Sequence, residues 1–258
     1  MSAPAPLAVF ILARNEAANI DRTLAALAPT GWPVTVLDSG STDETPAIVA
    51  RHGFATLQPY RYTDHHDAYN EITTALGAAH ERVIILDADM VLTPALIAEV
   101  KAQAQPLTVA SAPVIFCVAG QPLAHGSLYP PKPFLFATGT AWFVRSGHAE
   151  RVIDGVSVTS LAGAIRHDDR KPFASFLAGQ ARYSENFVSR LARGEASGRD
   201  RLRARWPLLI FAVPLVSLIW KRGLLDGRPG LVYALDKLIA EAIMHRQALA
   251  ARLTPPPE

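Results

Sequence analysis

Short apolar runs, each ending in a cluster of polar residues, punctuate the first hundred positions. Residues 7–12, 34–37, 54–57 and 83–86 are rich in Val, Ile, Leu and Phe and are short enough to be buried strands. Between them the spacing changes. Ile20, Leu24 and Leu27 recur at helical intervals within residues 17–27, and Pro29 and Gly31 stop that helix. Thr45-Pro46 reads as a helix start and Gly53 as a stop, and residues 65–79 read as a third helix. Strand–helix alternation at this pitch predicts a parallel sheet with right-handed crossovers. Residues 94–101 follow as a helix.

The pattern is looser afterwards. Residues 107–118 and 134–144 read as two long strands. The proline-rich stretch 120–133 between them reads as irregular. The charged segment 165–172 precedes a helix over 173–191, and residues 231–253 form an amphipathic helix. The expectation is an α/β fold with a mixed, mainly parallel sheet flanked by helices. One domain is expected over 1–198, in two halves at 7–104 and 105–198. A C-terminal helical extension covers 199–253, and 254–258 is a disordered proline-rich tail.

Composition narrows the function. Half of the 258 residues are hydrophobic, enough for a large core. A net charge of +2 gives no bulk argument for nucleic acid as a partner. The one cysteine, Cys117, excludes an intrachain disulfide and a cysteine-rich zinc site. Residues 1–6 show no basic segment leading into an apolar run, so the expected compartment is the cytosol or its membrane face.

The candidate chemistry collects at strand ends: Asn15 and Glu16 after the first run, Asp38 and Asp43 after the second, Asp87 and Asp89 after the run 83–86. In a parallel sheet these share one edge, where such sheets bind ligands. If the strand continues through both, Asp87 and Asp89 point the same way. Two converging carboxylates suit a hard divalent cation whose shell is completed by phosphate oxygens. The competing reading has one aspartate capping the helix near Thr93-Pro94 and the other solvated. Asp38 either binds a ribose or base, or only orders its own Ser39-Gly40-Ser41 turn. No Gly-x-Gly-x-x-Gly and no Walker lysine loop is present, which argues against a dinucleotide or an ATP-hydrolysing P-loop.

Ala13-Arg14-Asn15-Glu16, Asp38-Ser39-Gly40-Ser41-Thr42-Asp43 and Leu86-Asp87-Ala88-Asp89, in this order, resemble the family-2 glycosyltransferases of the GT-A fold. The stretches from His167 to Pro172 and from Lys221 to Leu231 are similar to enzymes that build lipopolysaccharide core or other envelope glycans. The resemblance implies a nucleotide-sugar donor, a glycan or lipid-linked acceptor, and inversion at the transferred sugar. It places Ala13, Asn15, Glu16, Asp38, Ser39, Asp43, Asn70 and Asp87 at the donor. Asp87 would face the ribose or a metal-bound water, and Asp89, with Asp87, would hold Mg²⁺ or Mn²⁺ on the diphosphate.

The acceptor hydroxyl needs a base, and Asp168 or Asp169 is the candidate, with Asp169 favoured and the other making a salt bridge or helix cap. The competing reading has both capping the 173–191 helix. The chain departs from the family at 65–70, where only Asn70 matches an Arg-Asn pair, so Arg61 or Arg170 would have to meet the diphosphate. It departs again at His148-Ala149-Glu150, where relatives carry His-Glu.

Residues 206–220 carry no charge and are too short to span a bilayer. Trp206 and Trp220 bracket them, with Arg199, Arg201, Arg203 and Arg205 before and Lys221 and Arg222 after. This suits a membrane surface over 199–222, on the inner face of the cytoplasmic membrane. The alternative is a buried hairpin. Two other functions compete: a haloacid-dehalogenase-like phosphohydrolase using Asp87 and Asp89, and a non-catalytic nucleotide-binding membrane protein.

Overall fold

The computed structural model describes residues 5–103, 108–146 and 149–253; His148 and the tail 254–258 lie outside them. The chain divides into two compact units, one built from Met1–Gly120, Tyr129–Arg145 and Ala149–Arg170, the other mainly from Gln121–Leu128 and Lys171–Glu258. The boundary drawn at 198 from the sequence falls inside the second unit.

The first unit opens as β1 (Ala5–Ala13), α1 (Ile20–Leu27), β2 (Val34–Asp38), α2 (Thr45–Arg51), β3 (Ala55–Pro59), α3 (His65–Glu71) and β4 (His80–Asp87). It continues through β5 (Met90–Leu92), α4 (Pro94–Ala102), β6 (Val109–Ala112) and β7 (Val114–Val118). After β8 (Gln121–Pro122), which belongs to the second unit, come β9 (Lys132–Ala137), β10 (Phe143–Ser146), β11 (Ala149–Val152), β12 (Val158–Ser160) and β13 (Ile165–His167). Seven strands form the main sheet in the order β12-β6-β9-β4-β1-β2-β3. β4, β1, β2 and β3 are parallel, and β9 enters antiparallel between β4 and β6. The expected mixed, mainly parallel sheet is therefore present.

Both faces of the sheet are covered. Leu7, Val9 and Ile11 of β1 pack with Ile84 and Leu86 of β4 on one face, and Ala8 and Phe10 pack with Val83 and Ile85 on the other. Continuous apolar runs, rather than alternating ones, are what a doubly covered strand requires. Pairing also levels the strand ends: Ala13 lies opposite Asp38, and Leu12 opposite Asp87.

Several elements differ from the sequence expectation, each for a local reason. The run 107–118 is two strands in two sheets, because Pro113 interrupts the ladder between Ala112 and Val114. The run 134–144 breaks at Gly139, whose φ of 87° is a turn conformation. β9 begins at Lys132, inside the stretch read as irregular. The helix expected over 65–79 ends its regular part at Glu71 and closes with a π turn, Ile72–Leu76. β4 stops at Asp87, so Asp89 sits in a turn and not on the strand.

In the second unit, α5 (Phe173–Ala192), α6 (Gly198–Arg205), α7 (Ala212–Leu215) and α8 (Arg228–Leu253) are joined by short 3₁₀ and π turns. Ser197 and Asp200 form a capping box on α6. Phe187, Ala204 and Ala248 make a small core, with the Glu241 carboxylate buried against Arg203. Residues 206–220 are not a buried hairpin: Pro214 and Ser217 are buried, but Leu208 is 76% and Trp220 83% exposed. No helix among the described residues is long and apolar enough to cross a membrane.

Candidate active site

The edge of the main sheet carries two loops that lock each other. Asn15 adopts φ 54°, a conformation asparagine tolerates better than most residues. Its N–H donates to Ser41 Oγ at 2.8 Å, and its Oδ1 accepts from the Thr42 N–H at 2.8 Å. The Glu16 N–H donates to Thr45 Oγ1 at 2.8 Å, and the Ala17 N–H to Asp43 Oδ2 at 3.0 Å. Asp43 also accepts from the Thr45 N–H. These bonds hold its carboxyl below its usual value against the opposing pull of desolvation. Asn15 and Asp43 thus brace the loops, and α1 starts only at Ile20 because residues 15–19 are occupied by this bracing.

Asp38 does order its own turn, accepting from the Ser41 N–H at 3.1 Å and from Ser41 Oγ. It also lines a cavity of about 520 Å³ with Arg14, Ser39, Gly40, Tyr60 and Arg61. The two readings of Asp38 are therefore compatible. Asn70 is placed elsewhere: its amide donates to the Phe143 carbonyl and accepts from the Phe143 N–H, both at 3.0 Å, clamping α3 to β10.

Asp87, at the end of β4, pairs through Oδ2 with Lys132 Nζ at 2.7 Å. Asp89, two residues on, pairs through Oδ2 with His167 Nε2 at 3.1 Å. The small second sheet produces this meeting, because β13 runs antiparallel to β5 with His167 opposite Met90, and the Asp168 N–H donates to the Asp89 carbonyl at 3.0 Å. Neither aspartate caps the following helix; Thr93 does, accepting from the Leu96 N–H. The strand alternation expected to align the two carboxylates does not operate: Asp87 ends β4, and Asp89 lies in the turn that follows.

In each carboxylate the second oxygen, Oδ1, is buried with no hydrogen-bond partner among the described residues. Burying an unpartnered carboxylate oxygen is costly, so such an atom marks a ligand position. Burial alone would raise the Asp87 carboxyl, but the Lys132 ammonium, with His65 and His167, outweighs it and holds the group ionised well below the usual range. Burial lowers His167 and its hydrogen bond to the Asp89 carboxylate raises it, with a net upward shift. A carboxylate oxygen suits Mg²⁺ or Mn²⁺, and an imidazole beside it favours the less hard Mn²⁺, so Asp89 and His167 fit a divalent cation.

Asp168 and Asp169 have different surroundings. Asp168 is buried, takes Arg170 Nε and Nη2 at 3.0 and 2.8 Å, and has Arg22 Nε at 3.7 Å. Asp169 is exposed and accepts from Asn19 Nδ2 at 2.8 Å. Asn19 also donates to Glu16 Oε2, tying the first strand's loop to this segment. Neither aspartate caps α5, whose first turn has no side-chain cap. Arg170 is committed to Asp168, while Arg61 lines the cavity beside Asp38.

The sequence reading missed Lys132 and gave His167 no role. A lysine opening an apolar strand run was the available signal for the first, and a histidine beside two acids for the second.

A doubly covered parallel half-sheet with carboxylates at its levelled strand ends is a GT-A-like arrangement. Residues 8–134 match the model of glycosyl transferase family 2, and the chain is a glycosyltransferase. That match removes the phosphohydrolase and non-catalytic alternatives. Among solved structures, the chain is similar to S. aureus TarS 1-349 in complex with UDP, at 15% identity and TM-score 0.48, covering 93% of this chain and 90% of that one. It is also similar to glucosyl-3-phosphoglycerate synthase from Mycobacterium tuberculosis in complex with phosphoglyceric acid, at 16% identity and TM-score 0.47, covering 75% and 82%. The same synthase with Mn²⁺, UDP and glucosyl-3-phosphoglycerate matches at 17% identity and TM-score 0.44, again covering 75% and 82%. No curated protein sequence matches the chain.

Proposed function

We propose that this glycosyltransferase takes its sugar from a UDP-sugar, with Mg²⁺ or Mn²⁺ on the diphosphate, and passes it with inversion to a glycan acceptor of the cell envelope. The observation that carries the donor reading is the pair of buried, unpartnered oxygens, Asp87 Oδ1 and Asp89 Oδ1, at one strand end. When bound, the cation would offset charge on the departing diphosphate. Asp89 and His167 would hold it. The cavity lined by Asp38, Tyr60 and Arg61 would take the nucleoside, with Arg61 replacing the basic residue absent from 65–70. The Asn15 and Asp43 loop network would keep that cavity's wall rigid, with Ala13, Glu16 and Ser39 contributing backbone to it.

Asp169 is the proposed base. Asp168 is buried and takes two hydrogen bonds from Arg170, which leaves it little access to a hydroxyl. Asp169 is exposed to solvent. Asp168 would then hold the segment in place.

The acceptor is read as lipid-linked, in lipopolysaccharide core or a related glycan, with the enzyme peripheral on the cytoplasmic membrane face. Two features support this. Trp206, Leu208, Ile219, Trp220, Leu224 and Leu225 are all exposed within one short stretch. Arg201, Arg205, Lys221 and Arg222, also exposed, flank it.

Isothermal titration with UDP, with and without Mn²⁺, tests the donor site. Metal-dependent UDP binding is expected, and Asp89→Ala should cut transfer by about a hundredfold or more while circular dichroism stays unchanged. An Asp89→Ala protein that transfers at full rate would remove the metal from the reading.

A further inference from the structure

The second unit holds a cavity of its own, of about 430 Å³, walled by α5, α6 and α8. Each helix lends it residues spaced i, i+3 and i+4, which share one helical face. Val188 and Leu191 of α5, Ala204 of α6 and Ala248 of α8 give it an apolar floor. Ala204 and Ala248 are each 3% exposed and pack with Phe187 in that unit's core. The volume lies within the roughly 300–1,000 Å³ of ordinary small-ligand sites.

The rim is cationic. Arg201 and Arg205 of α6 and Arg252 of α8 line the same cavity, and all three are exposed. Arg252 Nη2 donates to the Ala204 carbonyl at 3.0 Å, which pins the end of α8 to α6. None of the three meets an acid among the described residues. Nearby acids are spent on other arginines: Asp200 on Arg190 at 3.6 Å, Glu195 on Arg193 at 3.0 Å, and Glu241 on Arg203. A guanidinium carries five N–H donors in a planar fork that matches a phosphate, so three of them around one opening leave an anion's place unfilled.

The two halves of the cavity ask for one ligand with two parts. A sugar phosphate would satisfy the arginines and leave the apolar floor wet. An uncharged chain would cover the floor and leave the guanidiniums without a counter-charge. We propose that this cavity binds one acyl chain of an anionic phospholipid, with its head group held by Arg201, Arg205 and Arg252. The site is separate from the donor site, and its lining includes none of the exposed apolar side chains of 206–225. Those side chains would rest on a lipid surface as a whole, whereas the cavity takes up a single molecule.

Isothermal titration of the full chain with lauroyl-lysophosphatidylglycerol, kept below its critical micelle concentration, tests this without any bilayer. Saturable binding of one lipid per chain is expected. Lauroyl-lysophosphatidylcholine, with the same chain and no net charge, should bind about tenfold more weakly or worse, and glycerol phosphate alone should not bind measurably. Arg201→Gln/Arg205→Gln should weaken the anionic lipid by about tenfold and bring it level with the choline lipid. Ala251→Trp, at an exposed lining position, places a ring in the cavity and should abolish binding of both. Ala192→Trp does the same from α5 and serves if the first variant fails to fold, as judged by circular dichroism. Trp220→Ala/Leu224→Ala should bind the monomeric lipid as the unsubstituted protein does. Full binding by either folded Trp variant would place the lipid elsewhere and overturn the proposal. Equal affinity for the two head groups, or tight binding of glycerol phosphate alone, would overturn it as well. Sedimentation with vesicles reads the 206–225 surface independently, so either reading can fail while the other stands.

Discussion

Asp226 illustrates how much one side chain can organise. Its carboxylate accepts the N–H groups of Ala124, at 2.8 Å, His125, at 3.1 Å, and Gly126, at 2.6 Å, a hundred residues away in sequence. Desolvation pushes its carboxyl up, but these backbone bonds and His125 outweigh it, so the folded-state value lies below the ordinary 3.8. A depressed carboxyl stabilises the fold above its ordinary value and loses that contribution as pH falls toward the folded-state value. Asp226→Ala should therefore cost about 3 kcal/mol at neutral pH, measured by urea unfolding. The gap between the two proteins should narrow as the medium is acidified below pH 3.8. A gap independent of pH would mean that shape, not charge, holds the 124–126 turn. The site aspartates follow the same rule of local partners: Asp43 is spent on its loop and Asp168 Oδ2 on arginines, while Asp87, Asp89 and Asp168 each keep an unpartnered Oδ1 among the described residues.

At the scale of elements, close backbone approach decides what the second unit tolerates. A Cβ built on Gly230, in the first turn of α8, would stand 2.0 Å from the Gly223 carbonyl oxygen, and one on Gly223 would stand 2.7 Å from the Ser217 carbonyl oxygen. These are main-chain atoms, which cannot swing aside as a long side chain can. Gly230→Ala should lower stability by about 3 kcal/mol, seen as a lower thermal midpoint, while Gly179→Ala, on α5 with nothing within 4 Å, should not. Equal midpoints for the two variants would contradict the packing described. In the first unit the comparable device is the small sheet: β13 pairs with β5 and β7, and this pairing carries His167 to Asp89 across 78 positions of sequence.

For the whole molecule, the membrane reading makes a measurable demand. Arg203 is committed to the buried Glu241, so among the described side chains of α6 the exposed cations are Arg201 and Arg205, with Lys221 and Arg222 beyond the apolar stretch. Sedimentation with anionic vesicles should fall for Arg201→Gln/Arg205→Gln in a salt-dependent way, and for Trp220→Ala/Leu224→Ala at all salt concentrations. Binding that survives both pairs of changes would dismiss this surface as the contact. The sequence by itself determined the doubly covered parallel strands, because apolar runs and helical spacing are local, and it located the strand-end acids, because each lies beside its run. It did not reveal the division of 107–118 between two sheets, the Asn70 clamp on Phe143, or the partners of Asp87 and Asp89. Those are products of long-range pairing: Lys132 is 45 residues from Asp87, and His167 is 78 from Asp89. Periodicity records which face of an element is buried. Which charge a carboxylate meets there is fixed only when distant strands pair, and in this protein that pairing gives Asp87 an ammonium and Asp89 an imidazole.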